Sequence, residues 1–222
     1  MVGLDVSTKY TRRSITEYRK VADYIRQLFK THPGNYMVFL PSYKMLQDVY
    51  DQLREGDCSS MELLCQEQNM KETDREAFLE HFSSKKNIVA FCIMGGIFSE
   101  GIDLTGDRLI GSVVVGPGLP QVCNERKIMM DYFNARKSME VYRDSSVDGF
   151  KYAYLYPGIN KVFQSAGRVI RTEMDTGVIL LLDERFGNEE YNSLFPVEWQ
   201  DAVFGNYDQL VRKMKNFWKG QE

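Results

Sequence analysis

Apolar residues at Ile15, Tyr18, Val21, Ala22, Ile25, Leu28 and Phe29 recur with helical spacing, which predicts a helix over 13–30. His32-Pro33-Gly34-Asn35 breaks it. Tyr36 to Leu40 is a short apolar run, read as a strand, and Pro41-Ser42 ends it. Ser42 is suited to cap a helix from Tyr43 to Leu53. A strand follows at 61–66, and Thr73-Asp74-Arg75-Glu76 opens a helix running to Phe82. Further strands are expected at 87–94, 109–116 and 176–183, and an amphipathic helix at 207–218.

Strands that alternate with helices imply βαβ units and a parallel sheet with helices on both faces. The chain therefore reads as α/β, a three-layer domain over 13–222 behind a polar, flexible leader at 1–12. The stretch 117–160 interrupts the alternation. Gly116-Pro117-Gly118-Leu119-Pro120 punctuates it, 121–142 predicts a long charged helix, and Tyr152, Tyr154 and Tyr156 alternate up to Pro157-Gly158. It is read as an insertion or lid within the one domain. Arg126, Lys127, Arg136 and Lys137 interleave with Tyr132 and Phe133. That pattern suits either a solvated helix with a buried aromatic stripe or a channel for a single strand, where rings stack bases and cations follow phosphates.

Residues 164–171, Gln-Ser-Ala-Gly-Arg-Val-Ile-Arg, carry the densest chemistry. At about 100° per residue, Gln164, Arg168 and Arg171 share one side of a helix. Val162, Ala166, Val169 and Ile170 occupy the other. Arginine is permanently charged, and its planar fork of donors matches phosphate oxygens. A solvated polar stripe is the competing reading. The all-apolar strand that follows delivers Asp183 and Arg185 to its carboxyl end, where open α/β sheets bind ligands. Those two residues are read either as a pair steadying the arginine-bearing helix or as a surface ion pair.

Composition narrows the class. The 222 residues are 43% hydrophobic and 27% charged with net charge −3, so any nucleic-acid contact must come from a local patch. Apolar runs are too short to span a bilayer, and no secretory signal is present, so a cytoplasmic protein without a membrane partner is expected. Cys58, Cys65, Cys92 and Cys123 lack metal-ligand spacing, and His32 and His81 are far apart, so no metal site is expected.

Gln164-x-x-Gly167-Arg168-x-x-Arg171, followed by Asp175-x-Gly177 and Asp183-x-Arg185-Phe186, resembles motif VI of superfamily 2 helicases of the XPD/DinG type. Gly95-Gly96-Ile97-Phe98-Ser99-Glu100-Gly101-Ile102-Asp103 resembles their motif V, and Val38-Phe39-Leu40-Pro41-Ser42-Tyr43 their motif IV. The resemblance covers residues 10 to 205 and implies a RecA-like fold. It casts Arg168 and Arg171 as arginine fingers, with Gln164 orienting the phosphate or the attacking water. Gly96, Glu100, Gly101 and Asp103 would meet the nucleotide, and Ser42, Tyr43 and Ser99 the nucleic acid. On the residues alone, a glycine-rich turn capped by Ser99 or Asp103, and an N-cap with a packed ring at Ser42 and Tyr43, stay open.

A P-loop and an acidic Mg²⁺-binding motif do not occur in these 222 residues. The expectation is half a motor: the second RecA-like domain of an ATP-dependent DNA helicase, bacterial, engaged in repair or replication and moving 5′ to 3′ on single-stranded DNA. ATP and Mg²⁺ would be bound jointly with a missing first motor domain, and this piece alone would be inactive. A non-catalytic nucleic-acid- or protein-binding module, or part of an RNA helicase, are the alternatives.

Overall fold

In chain order, β1 (Val2–Gly3), α1 (Ile15–Thr31), β2 (Tyr36–Leu40), α2 (Tyr43–Arg54), β3 (Glu62–Cys65), α3 (Glu72–Ser84), β4 (Ile88–Ile93) and β5 (Gly111–Val115) form the first half. The second half holds α4 (Asn124–Lys137), a π-helical turn (Lys151–Leu155), α5 (Tyr156–Ala166), β6 (Val178–Leu182), α6 (Glu189–Asn192), β7 (Phe204–Gly205) and α7 (Tyr207–Lys219). The computed structural model describes residues 1–99, 102, 104–137, 147–170 and 172–220.

The seven strands make one sheet in the order β3-β4-β2-β5-β6-β1-β7, and every neighbouring pair is parallel. Residues within a strand split by alternation between two cores. Tyr36, Val38, Leu40, Val113, Val115, Leu180 and Leu182 face the layer of α1, α2 and α7. Met37, Phe39, Val114 and Leu181 face the layer of α3 and α5. Continuous apolar strands are what burial on both faces requires. The expected three-layer α/β architecture is thus present.

Three local expectations differ. Residues 1–12 do not begin as a flexible leader: Val2 and Gly3 form β1, inserted between β6 and β7. Val2 is buried in one core and Val6 in the other, which holds the segment down. Second, Tyr152 and Tyr154 lie in the π-helical turn that leads directly into α5, with Pro157 on the first turn of α5; its missing N–H frees a carbonyl of the preceding turn, and Ala153 O accepts from Arg126 Nη1 at 3.1 Å instead. The insertion therefore runs without a break into the helix that carries Gln164. Its first helix spans Asn124–Lys137; 138–146 lie outside the described residues.

Third, α5 ends at Ala166, with Gly167 as its C-cap. Gln164 is on the last turn, and Arg168 follows in a turn, so the regular helical stripe does not extend from Gln164 to Arg168. Ile170, expected on the apolar side, is 45% exposed, whereas Val162, Ala166 and Val169 are buried.

Candidate functional site

All seven strands point the same way, so their carboxyl ends share one edge of the sheet. Chain connections diverge there between β2, whose crossover leads toward β3, and β5, whose crossover leads to β6. Ligands in open α/β sheets bind at such a switch point. A groove of about 680 Å³ lies over it. Thr8 and Lys9 line it from beyond β1, Pro41 and Ser42 from beyond β2, Gly116 to Val122 from beyond β5, and Arg185 from beyond β6. Tyr10 and Arg13 complete the wall, and no acidic side chain is among the described lining residues.

The β5 wall of this groove depends on Gly118, whose φ is +64°. A Cβ there would fall 2.8 Å from the Gly158 carbonyl oxygen and 2.6 Å from the Met94 sulfur. Only glycine lets the loop lie this close to the start of α5.

Arg185 is fixed in the floor. Its Nε donates to Asp183 Oδ1 at 2.7 Å, and its Nη2 donates to Asp183 Oδ2 at 3.0 Å and to Thr8 Oγ1 at 2.7 Å. Thr8 N and Oγ1 both donate to Asp183 Oδ2. Burial would raise the Asp183 carboxyl, but the Arg185 guanidinium and the Thr8 hydroxyl outweigh it and hold the group below its ordinary value. The pair is therefore buried, not a surface pair. It ties the segment after β1 to the end of β6. Glu184 pairs outward with Lys9 and Arg12, each at 3.1 Å.

Ser42 sits at the groove edge as the N-cap of α2, accepting from Met45 N. Tyr43 turns along the same sheet edge toward β3. Its hydroxyl donates to Glu67 O at 3.3 Å and accepts from Gln66 Nε2 at 3.1 Å. Gln66 is buried, and its Oε1 accepts from Ile93 N at 2.8 Å. A Cβ on Gly96 would lie 3.4 Å from Gln66 Nε2. Tyr43, Gln66 and Gly96 thus form one connected row.

Beyond β4 the chain turns at Gly95, φ +70°, beneath the aliphatic stem of Lys161 from α5. Ser99 is fully buried. Its hydroxyl accepts from Gly95 N at 2.9 Å, donates to Ile93 O at 3.3 Å, and lies 3.3 Å from Ser165 Oγ. Expected to meet nucleic acid, Ser99 instead clasps its own loop to β4 and α5. Phe98 drives that placement by packing into the core against Phe78. Glu100, Gly101 and Asp103 lie outside the described residues.

Gln164 is exposed at the end of α5, and Arg168 folds back beside it. Arg168 Nε donates to Gln164 O at 3.0 Å and Nη1 to Ile102 O at 3.3 Å. Gln164 and Arg168 are therefore together, alongside the loop that starts at Gly95. Arg171 lies outside the described residues. No cluster of three or more His, Cys, Asp or Glu suited to a metal occurs among the described residues. No helix there is long and apolar enough to cross a membrane.

Sequence reasoning missed Thr8, Lys9, Tyr10 and Arg13 as groove residues because a two-residue strand leaves no readable alternation. Arg185 was visible from its position past a buried strand.

Comparison with known proteins agrees with this arrangement. The model of the family described as "Helicase C-terminal domain" matches residues 25–202. ATP-dependent DNA helicase XPD of Sulfolobus acidocaldarius is 26% identical over 193 residues, which is 83% of this chain and 31% of that protein. ATP-dependent DNA helicase chl-1 of Caenorhabditis elegans is 25% identical over 219 residues, 96% of this chain and 25% of that protein. The chain thus spans a third or less of the length of these relatives. Among solved structures, an XPD helicase superposes with a TM-score of 0.72 at 22% identity, covering 93% of this chain and 34% of that one. The C-terminal domain of the DEAD-box protein Dbp5 superposes with a TM-score of 0.52 at 14% identity, covering 97% of this chain and 94% of that one. The fold is RecA-like, and with its family matched over residues 25–202 the chain belongs to the helicase C-terminal domains, with XPD- and CHL1-type helicases among its relatives.

Proposed function

We propose that this chain works as the second motor domain of an ATP-dependent DNA helicase. In this reading it binds single-stranded DNA along the sheet edge and supplies arginines to ATP held by a first motor domain. The observation that carries the reading is the groove at the strand carboxyl ends, free of acids among its described lining residues and walled by Lys9, Arg13 and Arg185, of which Lys9 and Arg185 are paired with Glu184 and Asp183 just outside the lining. A phosphodiester backbone needs such a strip, and at a net charge of −3 the rest of the surface would not attract it.

Phosphoryl transfer to water requires neutralisation of charge on the γ-phosphate and in-line placement of the attacking water. Arg168 would supply the charge by exchanging the Gln164 and Ile102 carbonyls for phosphate oxygens. Arg171 would act beside it, and Gln164 would orient the water. The Gly95–Gly96 turn connects the Tyr43–Gln66 row to the segment touched by Arg168, so it could pass movement between DNA and nucleotide. Mg²⁺ would arrive with ATP on the other domain and polarise the phosphates there. Travel from 5′ to 3′ is what the resemblance of the motifs to XPD/DinG-type helicases implies.

The test uses the protein that contains this chain together with a P-loop domain. Arg168→Ala should lower DNA-stimulated ATP hydrolysis by about 10³-fold or more while nucleotide binding persists. Unchanged turnover would remove the finger assignment. The 222-residue chain alone should hydrolyse no ATP, and robust DNA-stimulated turnover by it would overturn the half-motor reading.

A further inference from the structure

We propose that the aromatic row carried by α4 and the π-helical turn is a stacking platform for the bases of a single strand leaving the groove. The proposal rests on reading the groove as a nucleic-acid path. Four rings follow one another. Tyr132 lies edge-on to Phe133 at 5.5 Å, Phe133 stacks on Tyr152 at 4.2 Å and 16°, and Tyr152 meets Tyr156 edge-on at 5.2 Å.

A buried aromatic stripe was the plainer expectation for this helix, but the rings surface: Tyr132 is 50% exposed and Tyr152 38%. The Arg136 guanidinium lies 4.5 Å over the Tyr132 ring. A row of open rings with a cation over one of them suits base faces, which stack regardless of sequence.

Along the chain the row follows the groove. The lining ends at Gln121 and Val122, and α4 begins at Asn124. Tyr132 is then about 12 Å along the helix, the reach of about three or four stacked nucleotides at ~3.4 Å each. Arg126 Nη1 donates to Ala153 O at 3.1 Å and locks the two elements into one surface. Among the described residues the charges around the rings nearly balance, with Arg126, Lys127, Arg136 and Lys151 against Glu125, Asp131 and Asp148. Contact here is therefore made with bases, while phosphates are held in the groove. Ile128 and Met129 are also exposed on α4, so a protein partner is the rival occupant.

The test measures binding of the chain to a fluorescent oligothymidylate and to an abasic oligomer with the same number of phosphates. Tyr132→Ala and Tyr152→Ala should each weaken oligothymidylate binding about 5- to 100-fold. Abasic binding and the salt dependence should stay as they were, and Tyr132→Trp should restore affinity. Equal losses on both oligomers, or none on either, would overturn the platform, the second result assigning the face to a protein. If the unmodified chain binds neither oligomer, the groove reading fails as well.

Discussion

Asp183 and Arg185, two residues apart, face each other through two parallel hydrogen bonds of 2.7 and 3.0 Å, with the carboxylate fully buried. Removing one member leaves the other charged and unpaired in the interior. Asp183→Ala should therefore cost about 3–5 kcal/mol, read from chemical denaturation. The depressed carboxyl fixes the sign of the acid response. Its contribution is complete above the ordinary carboxylate pKa of about 3.9 and is lost as pH falls below that value through the folded one. The Asp183→Asn protein should show a flatter loss of stability under acid. An unaltered acid profile would mean that the pair does not govern it.

Gly118 and Gly106 both have positive φ, +64° and +61°, but different surroundings. Gly118 presses on the Gly158 carbonyl and Met94, while nothing lies within 4 Å of a Cβ on Gly106. Gly106→Ala should cost about 1–2 kcal/mol, the penalty of a left-handed alanine. Gly118→Ala should cost clearly more and also weaken single-strand binding, because the loop it moves is a groove wall. Thermal melts of both variants with one binding titration decide this, and equal penalties would refute the close-packing argument.

Much of this was legible in the sequence. Continuous apolar runs announced β2, β4, β5 and β6, and the capping serine announced α2, because burial and capping are local demands. The helix end at Ala166 was not legible. Val169 is buried like a helical position, although the backbone has already left the helix, since it packs against Gly177 at the start of β6. A side chain can keep the helical period by tertiary contact after the hydrogen bonds stop. β1 was invisible for the opposite reason: its position comes from partners near residues 181 and 204, not from its own pattern.

Ser99 separates a structural role from a nucleic-acid contact. Its buried hydroxyl accepts from Gly95 N and bridges toward Ser165 on α5. Ser99→Ala should lower stability by about 1–3 kcal/mol, because buried polar partners are left unsatisfied. Single-strand affinity at a temperature where the variant is fully folded should change less than twofold, with an unchanged dependence on salt. A hydroxyl that met a phosphate would produce the reverse pattern, with affinity falling and stability holding. Paired measurements of denaturation and oligonucleotide binding on Ser99→Ala and Ser42→Ala distinguish the two. Ser42 caps α2 at the groove edge, so its loss should reduce both quantities.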